Sequence, residues 1–164
     1  MPLAAIALGS NLPSSFGPPE SRLREGIERV GQLGEVRAVS SFHDTAPVGY
    51  ADQPRFLNAA LLLETELLPV ELMSALLSIE RALGRDRAVS PAKGPRTLDL
   101  DLLLYDSLIT QTPATADHPA LSLPHPEMHT RGFVLAPLAE IAPKTVHPTT
   151  RRTVSELLTA LPTE

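Results

Sequence analysis

The chain contains no cysteine and no tryptophan. Without cysteine, disulfides and thiolate metal sites are excluded, which agrees with a reducing cytoplasm as the expected compartment. Aromatic residues are only 4% of the total, too few for a platform that stacks nucleic-acid bases. The net charge of −5 does not suit a nucleic-acid binder, which carries a basic face. No apolar run approaches the ~20 residues of a membrane span, and Met1-Pro2-Leu3 leads straight into strand-like sequence without a basic leader or cleavage site. No nucleic acid, no membrane and a cytoplasmic location are therefore expected, and the chain is expected to be a monomer. Also absent are Gly-x-x-x-x-Gly-Lys-Ser/Thr, Gly-x-Gly-x-x-Gly, Gly-x-Ser-x-Gly and His-Glu-x-x-His. Their absence removes the P-loop, the dinucleotide-binding turn, the common serine hydrolase elbow and the zinc-protease helix.

What remains is an ordinary globular composition: 164 residues, 43% hydrophobic and 20% charged, enough for one domain spanning 1–164 with a proper core. Of the 17 prolines, 14 cluster at 13–19, 46–54, 91–95, 113–126 and 137–148, marking loops between elements. Ala4 to Leu8 reads as a buried strand. Leu23, Ile27, Val30 and Leu33 recur at helical spacing, with Gly34 as the stop. Glu35 to Phe42 alternates as a strand, 43–55 has no period, and Phe56 to Thr65 is a strongly apolar strand. A helix follows, with Pro69 in its first turn and Leu72, Met73, Leu76, Ile79 and Leu83 as its stripe. Residues 84–95 are irregular, and 106–126 form a long excursion with a short strand at Leu108-Ile109. A short helix is expected from Pro137 to Ile141, and Thr153 to Glu156 has capping-box spacing ahead of a last helix. The mixture predicts an α+β fold, a ferredoxin-like α/β sandwich with a mostly antiparallel sheet and helices packed on it. A doubly wound parallel sheet is disfavoured, because no crossover helix joins Phe42 to Phe56.

The central stretch is Gly94-Pro95-Arg96-Thr97-Leu98-Asp99-Leu100-Asp101, continuing through Leu102, Leu103 and Leu104 to Tyr105. On a strand, Asp99 and Asp101 share a face with Cα atoms about 6.5 Å apart, and Leu98, Leu100, Leu102 and Leu104 take the other. Adjacent like charges repel, and a divalent metal ion would neutralise them. A wet face of a half-exposed sheet is the alternative. Cations gather in the loops around this strand: Arg85, Arg87 and Arg96 before it, His125 and Arg131 after the excursion. Arginine forks bind phosphate oxygens bidentately, so carboxylates, metal and arginines together can hold a polyphosphate without a P-loop. Phe56 and Asn58 share a face of another strand, a ring to stack on a flat heterocycle and an amide to read its edge. A core phenylalanine beside a capping asparagine is the structural alternative.

With Leu8-Gly9-Ser10-Asn11, Asp52-Gln53-Pro54, Phe56-Leu57-Asn58-Ala59-Ala60, Pro124-His125-Pro126 and Arg131-Gly132-Phe133 added, the sequence resembles the 6-hydroxymethyl-7,8-dihydropterin pyrophosphokinases over residues 3–160. The resemblance implies a ferredoxin-like fold and transfer of diphosphate from ATP to the hydroxymethyl group of a reduced pterin, with release of AMP, in folate biosynthesis. It implies that Asp99 and Asp101 bind two Mg²⁺ ions, with Arg85 and Arg96 joining them in catalysis. It implies that Glu80, Arg85, Arg87, Arg96, Leu102, His125 and Arg131 line the ATP site. Thr45, Val48, Phe56, Asn58 and Phe133 would surround the pterin, with Phe56 and Phe133 sandwiching it. Lys93 stands where the family often has a tryptophan. Another Mg²⁺-dependent nucleotide transferase on the same fold, and a non-catalytic binding module, remain the alternative readings.

Overall fold

The computed structural model describes residues 1–10, 19–45, 56–83 and 98–162. Leu3–Ser10 forms β1, an interior strand whose middle is apolar on both faces. It pairs antiparallel with β4 (Phe56–Glu64) on one side and β5 (Asp99–Tyr105) on the other. β2 (Glu35–Val39) and β3 (His43–Thr45) both pair antiparallel with β4, β2 with Leu61 to Glu64 and β3 with Phe56 to Asn58. The order β2-β4-β1-β5 places β4 between β1 and β2, and β1 between β4 and β5. Two split β-α-β units result, one closed by α1 (Pro19–Val30) and the other by α2 (Pro69–Leu83). That is the expected ferredoxin-like sandwich.

Side-chain alternation divides the sheet into two cores. Ile6, Leu8, Leu61, Leu63, Leu98 and Leu100 pack with α1 and α2 through Leu23, Leu72 and Leu76. Each such leucine contributes about 1.5–3 kcal/mol by leaving water. On the other face, Ala5, Ala7 and Ala60 lie beneath α3 (Gly132–Ile141) and α4 (Val154–Ala160), joined by Leu135, Leu138 and Leu157. The small alanines leave room for α3 to lie close to the sheet.

Several local expectations are corrected. Leu104 does not share a face with Leu98, Leu100 and Leu102. Ala5 pairs with Leu104 but Ile6 with Leu102, so Leu103 is an extra residue and a bulge reverses the alternation. Leu104 therefore joins the α3/α4 core, and Tyr105 the α1/α2 core. The strand expected to run to Phe42 stops at Val39. Ser40 N–H donates to Ala60 O at 2.9 Å and Ser40 Oγ accepts from Ala60 N–H at 2.9 Å, so a side chain takes over part of the ladder. Pairing then resumes in β3, inside the stretch expected to be irregular; residues 46–55 lie outside the described residues. Gly34 follows the last helical turn, Gly31–Leu33, and must be glycine because a Cβ there would lie 2.1 Å from Glu64 O. Its need is for close approach, since its φ of 171° is extended backbone.

Leu108-Ile109 is not a strand. Asp106 turns the chain with φ 49° and accepts from Leu3 N–H at 2.8 Å. The excursion's strands come later, as the two-stranded ribbon β6 (Thr110–Thr112) and β7 (Leu121–Leu123). α3 begins at Gly132, with Pro137 inside it. Its sequence is apolar on almost every side because it lies between the sheet and α4, so helical periodicity is lost. The final helix begins as expected: Thr153 Oγ1 accepts from Glu156 N–H at 3.1 Å and Glu156 Oε1 from Thr153 N–H at 2.9 Å.

Candidate active site

α3 and α4 do not cover the whole of their face. At its open end the register aligns His43, Asn58, Gly9 and Asp99 across β3, β4, β1 and β5. A cavity of about 430 Å³ lies over this row, walled by Phe56 and Asn58 from β4, Asp99 and Asp101 from β5, and Arg131 and Phe133 from the start of α3. Gly9 leaves room for the Asn58 amide, since a Cβ there would come 3.1 Å from Asn58 Oδ1 and press on it. Asn58 is buried, Phe56 half-buried, and Phe133 is 46% exposed. A flat polar heterocycle would find a ring, an amide and a second ring in this cavity.

A second cavity, of about 590 Å³, opens on the outer side of β5 between α2 and the ribbon. Met73, Leu102, Thr112, Ser122 and His125 line it, and so does Asp101. Asp101 thus borders both cavities. The β7–His125 segment is fixed along β5 by His125 N–H donating to Leu103 O at 2.9 Å. His125 Nδ1 accepts from Glu127 N–H at 3.2 Å, so a neutral ring carries its proton on Nε2. Burial lowers the His125 pKa; Asp101 opposes the shift and Arg131 reinforces it. The ring is therefore a neutral donor near pH 7. Arg131, at the N-cap of α3, pairs with the Glu127 carboxylate and lies 5.8 Å from the Phe133 ring centre.

The other sequence candidates fall in three places. Glu80 is buried and accepts from Leu100 N–H at 2.6 Å, so its carboxylate grips β5 between the two aspartates. Thr45 is in β3 opposite Phe56. Val48, Arg85, Arg87, Arg96 and Lys93 lie outside the described residues. Met73, Gln111, Thr112 and Ser122 line the larger cavity without having been singled out. Met73 had the signature of a buried stripe, and the others are isolated polar residues with no spacing to mark them. β1 runs on through Gly9 and Ser10, two residues past the expected strand end at Leu8.

Among the described residues no group of three or more metal-ligating side chains occurs. A pair of carboxylates on one face suits magnesium nonetheless, because that ion takes one or two carboxylates and completes its shell with water and substrate phosphates. The donor set fits.

The architecture is that of the pyrophosphokinases. The model of the 7,8-dihydro-6-hydroxymethylpterin-pyrophosphokinase family matches residues 5–143. A 2-amino-4-hydroxy-6-hydroxymethyldihydropteridine pyrophosphokinase from Pseudomonas aeruginosa is 42% identical over 161 residues, covering 97% of this chain and 91% of its own. The enzyme of that name from Bacillus subtilis is 45% identical over 141 residues, 85% of this chain and 77% of its own. The wild-type Plasmodium falciparum HPPK-DHPS crystal structure superposes with a TM-score of 0.74 at 12% identity. It covers 96% of this chain, which spans 44% of that longer one, and supports the fold alone. This chain belongs to the 7,8-dihydro-6-hydroxymethylpterin-pyrophosphokinase family, ATP-dependent enzymes of folate biosynthesis. Among the described residues, no helix is long and apolar enough to cross a membrane.

Proposed function

We propose that residues 1–164 act as one catalytic domain that transfers diphosphate from ATP to the hydroxymethyl group of 6-hydroxymethyl-7,8-dihydropterin and releases AMP. The observation that carries the assignment of roles is Asp101, which borders both cavities. The pterin occupies the smaller cavity between Phe56 and Phe133, with the Asn58 amide on its edge and Thr45 and Val48 beside it. The nucleotide occupies the larger one, over Leu102 and His125, with its phosphates directed past Asp101.

Asp99 and Asp101 would hold two Mg²⁺ ions, which when bound would supply charge neutralisation to the triphosphate and acidity to the pterin hydroxyl. The chain's own groups do the rest. His125 donates from Nε2 to a phosphate oxygen. Arg131 exchanges Glu127 for phosphate and brings its charge to the meeting point of the cavities, and Arg85, Arg87 and Arg96 are the further cations assigned to the phosphates. Glu80 holds the strand that carries the aspartates. The pterin hydroxyl attacks the β-phosphorus, the bond from that phosphorus to the α,β-bridging oxygen breaks, AMP leaves with that oxygen, and the hydroxyl proton is released to solvent. A loose transition state needs positioning and charge stabilisation more than covalent help, and both walls of aromatic ring exclude water that would otherwise hydrolyse ATP. The chain works as a monomer, without nucleic acid or membrane.

The test is AMP formation from ATP and magnesium, with and without the hydroxymethyl dihydropterin. AMP should form only with the pterin and in step with its consumption. AMP formed equally well without it would favour another nucleotide transferase, and no magnesium-dependent ATP binding at all would favour a binding module.

A further inference from the structure

The walls of the smaller cavity belong to different elements. Phe133 comes from the first turn of α3, whereas Phe56 and Asn58 come from the β3–β4 pair. β3 (His43–Thr45) lies off the main strand order and, among the described residues, is laddered to β4 alone, over three residue pairs. It is also cut off from β2 by the break at Ser40 to Phe42.

Glu140, near the far end of α3, spans this break. Its carboxylate accepts from Ser41 N–H at 2.7 Å, from Ser41 Oγ at 2.7 Å and from His43 Nε2 at 3.0 Å. An ionised carboxylate only accepts, so the contact fixes the His43 proton on Nε2. The Ser41 hydroxyl, then His43 and the Ser41 amide, hold the Glu140 pKa down at about 2, and the group stays ionised wherever the enzyme works. A lone ion pair with its carboxylate side chain 41% exposed would contribute little. Three bonds, one of them to the backbone, reach across 97 and 99 positions of sequence and tie one wall of the cavity to the other.

We infer that Glu140, through Ser41 and His43, is a positioning residue that sets the gap between Phe133 and the Phe56/Asn58 wall, and so tunes affinity for the pterin without touching it. The inference rests on the reading of this cavity as the acceptor site. Glu140 does not border the ATP cavity, so its effect should separate the two substrates.

The experiment measures kcat and both KM values for Glu140→Ala, Glu140→Asp, Ser41→Ala and, as control, Phe56→Ala. Glu140→Ala should raise KM for the pterin by about tenfold and leave KM for ATP and kcat within about twofold. Glu140→Asp keeps the charge but is one methylene short, and should behave as the alanine variant; wild-type behaviour would mean that charge alone acts, and would overturn the clamp. Ser41→Ala, which keeps the backbone bond, should raise the pterin KM by about threefold, and serves if Glu140→Ala folds poorly. An equal rise of both KM values, or no rise in either, overturns the proposal. If Phe56→Ala raises the pterin KM and the Glu140 and Ser41 variants do not, the clamp alone is wrong. If Phe56→Ala also leaves the pterin KM unchanged, the acceptor-site reading fails first.

Discussion

On one side of β5, Leu98, Leu100 and Leu102 are 4% exposed or less; on the other, Asp99 and Asp101 remain half-buried and border open cavities. The same contrast extends across the sheet. Apart from the cavity mouth at Met73 and Leu102, the α1/α2 face is sealed by leucine, while the α3/α4 face presents Asn58, Gly9 and the aspartates over its open end. Strand alternation thus lets neighbouring residues serve stability and chemistry separately. Each aspartate is flanked by buried leucines, so the strand is held from the opposite face.

That contrast can be broken from either face. The largest effect is expected for Asp99→Ala, which should lower turnover by more than about 1,000-fold while the thermal midpoint stays near that of the parent, as shown by matched kinetic and melting measurements. On the sealed face, Leu76→Ala should do the reverse. It removes a fully buried side chain and should cost about 3 kcal/mol of stability in denaturant titration, with kcat per folded molecule unchanged. Phe56→Ala should lose about 1–3 kcal/mol of pterin binding, the scale of one stacked ring, and spare ATP affinity in parallel titrations.

The smallest expected effect lies away from both faces. His147 is buried, and its Nδ1 accepts from Thr149 N–H at 3.3 Å and Thr150 N–H at 3.1 Å. Burial, then the neighbouring His129, lowers its pKa from 6.5. The unfolded chain therefore binds more protons near that value, so stability is full above it and declines as pH falls through it. Melting midpoints from pH 8 to pH 5 should fall less steeply in His147→Asn than in the parent; an unchanged slope would remove His147 from the acid response.

The sequence made some of this visible and hid the rest for physical reasons. The same-face aspartates follow from strand geometry, and the sandwich from the order of apolar runs. The fold of Leu104 to the opposite core does not, because a bulge is a property of pairing with β1 and leaves no mark within the leucine run. α3 was legible only from Pro137 onward, since burial between two layers erases the polar face that gives a helix its period. β3 is three residues without room for alternation. At the site, Phe56, Asn58 and the aspartates were readable as local patterns. Glu140 was not, because its role depends on Ser41 and His43, which lie 99 and 97 positions away.

The most direct test of the account is the rate of AMP formation by Asp101→Asn, with ATP, magnesium and the hydroxymethyl dihydropterin all saturating, on protein that melts where the parent does. This variant keeps the size of the side chain that borders both cavities and removes its charge. The account predicts a rate lower by more than about 1,000-fold; a rate within about tenfold of the parent would contradict it.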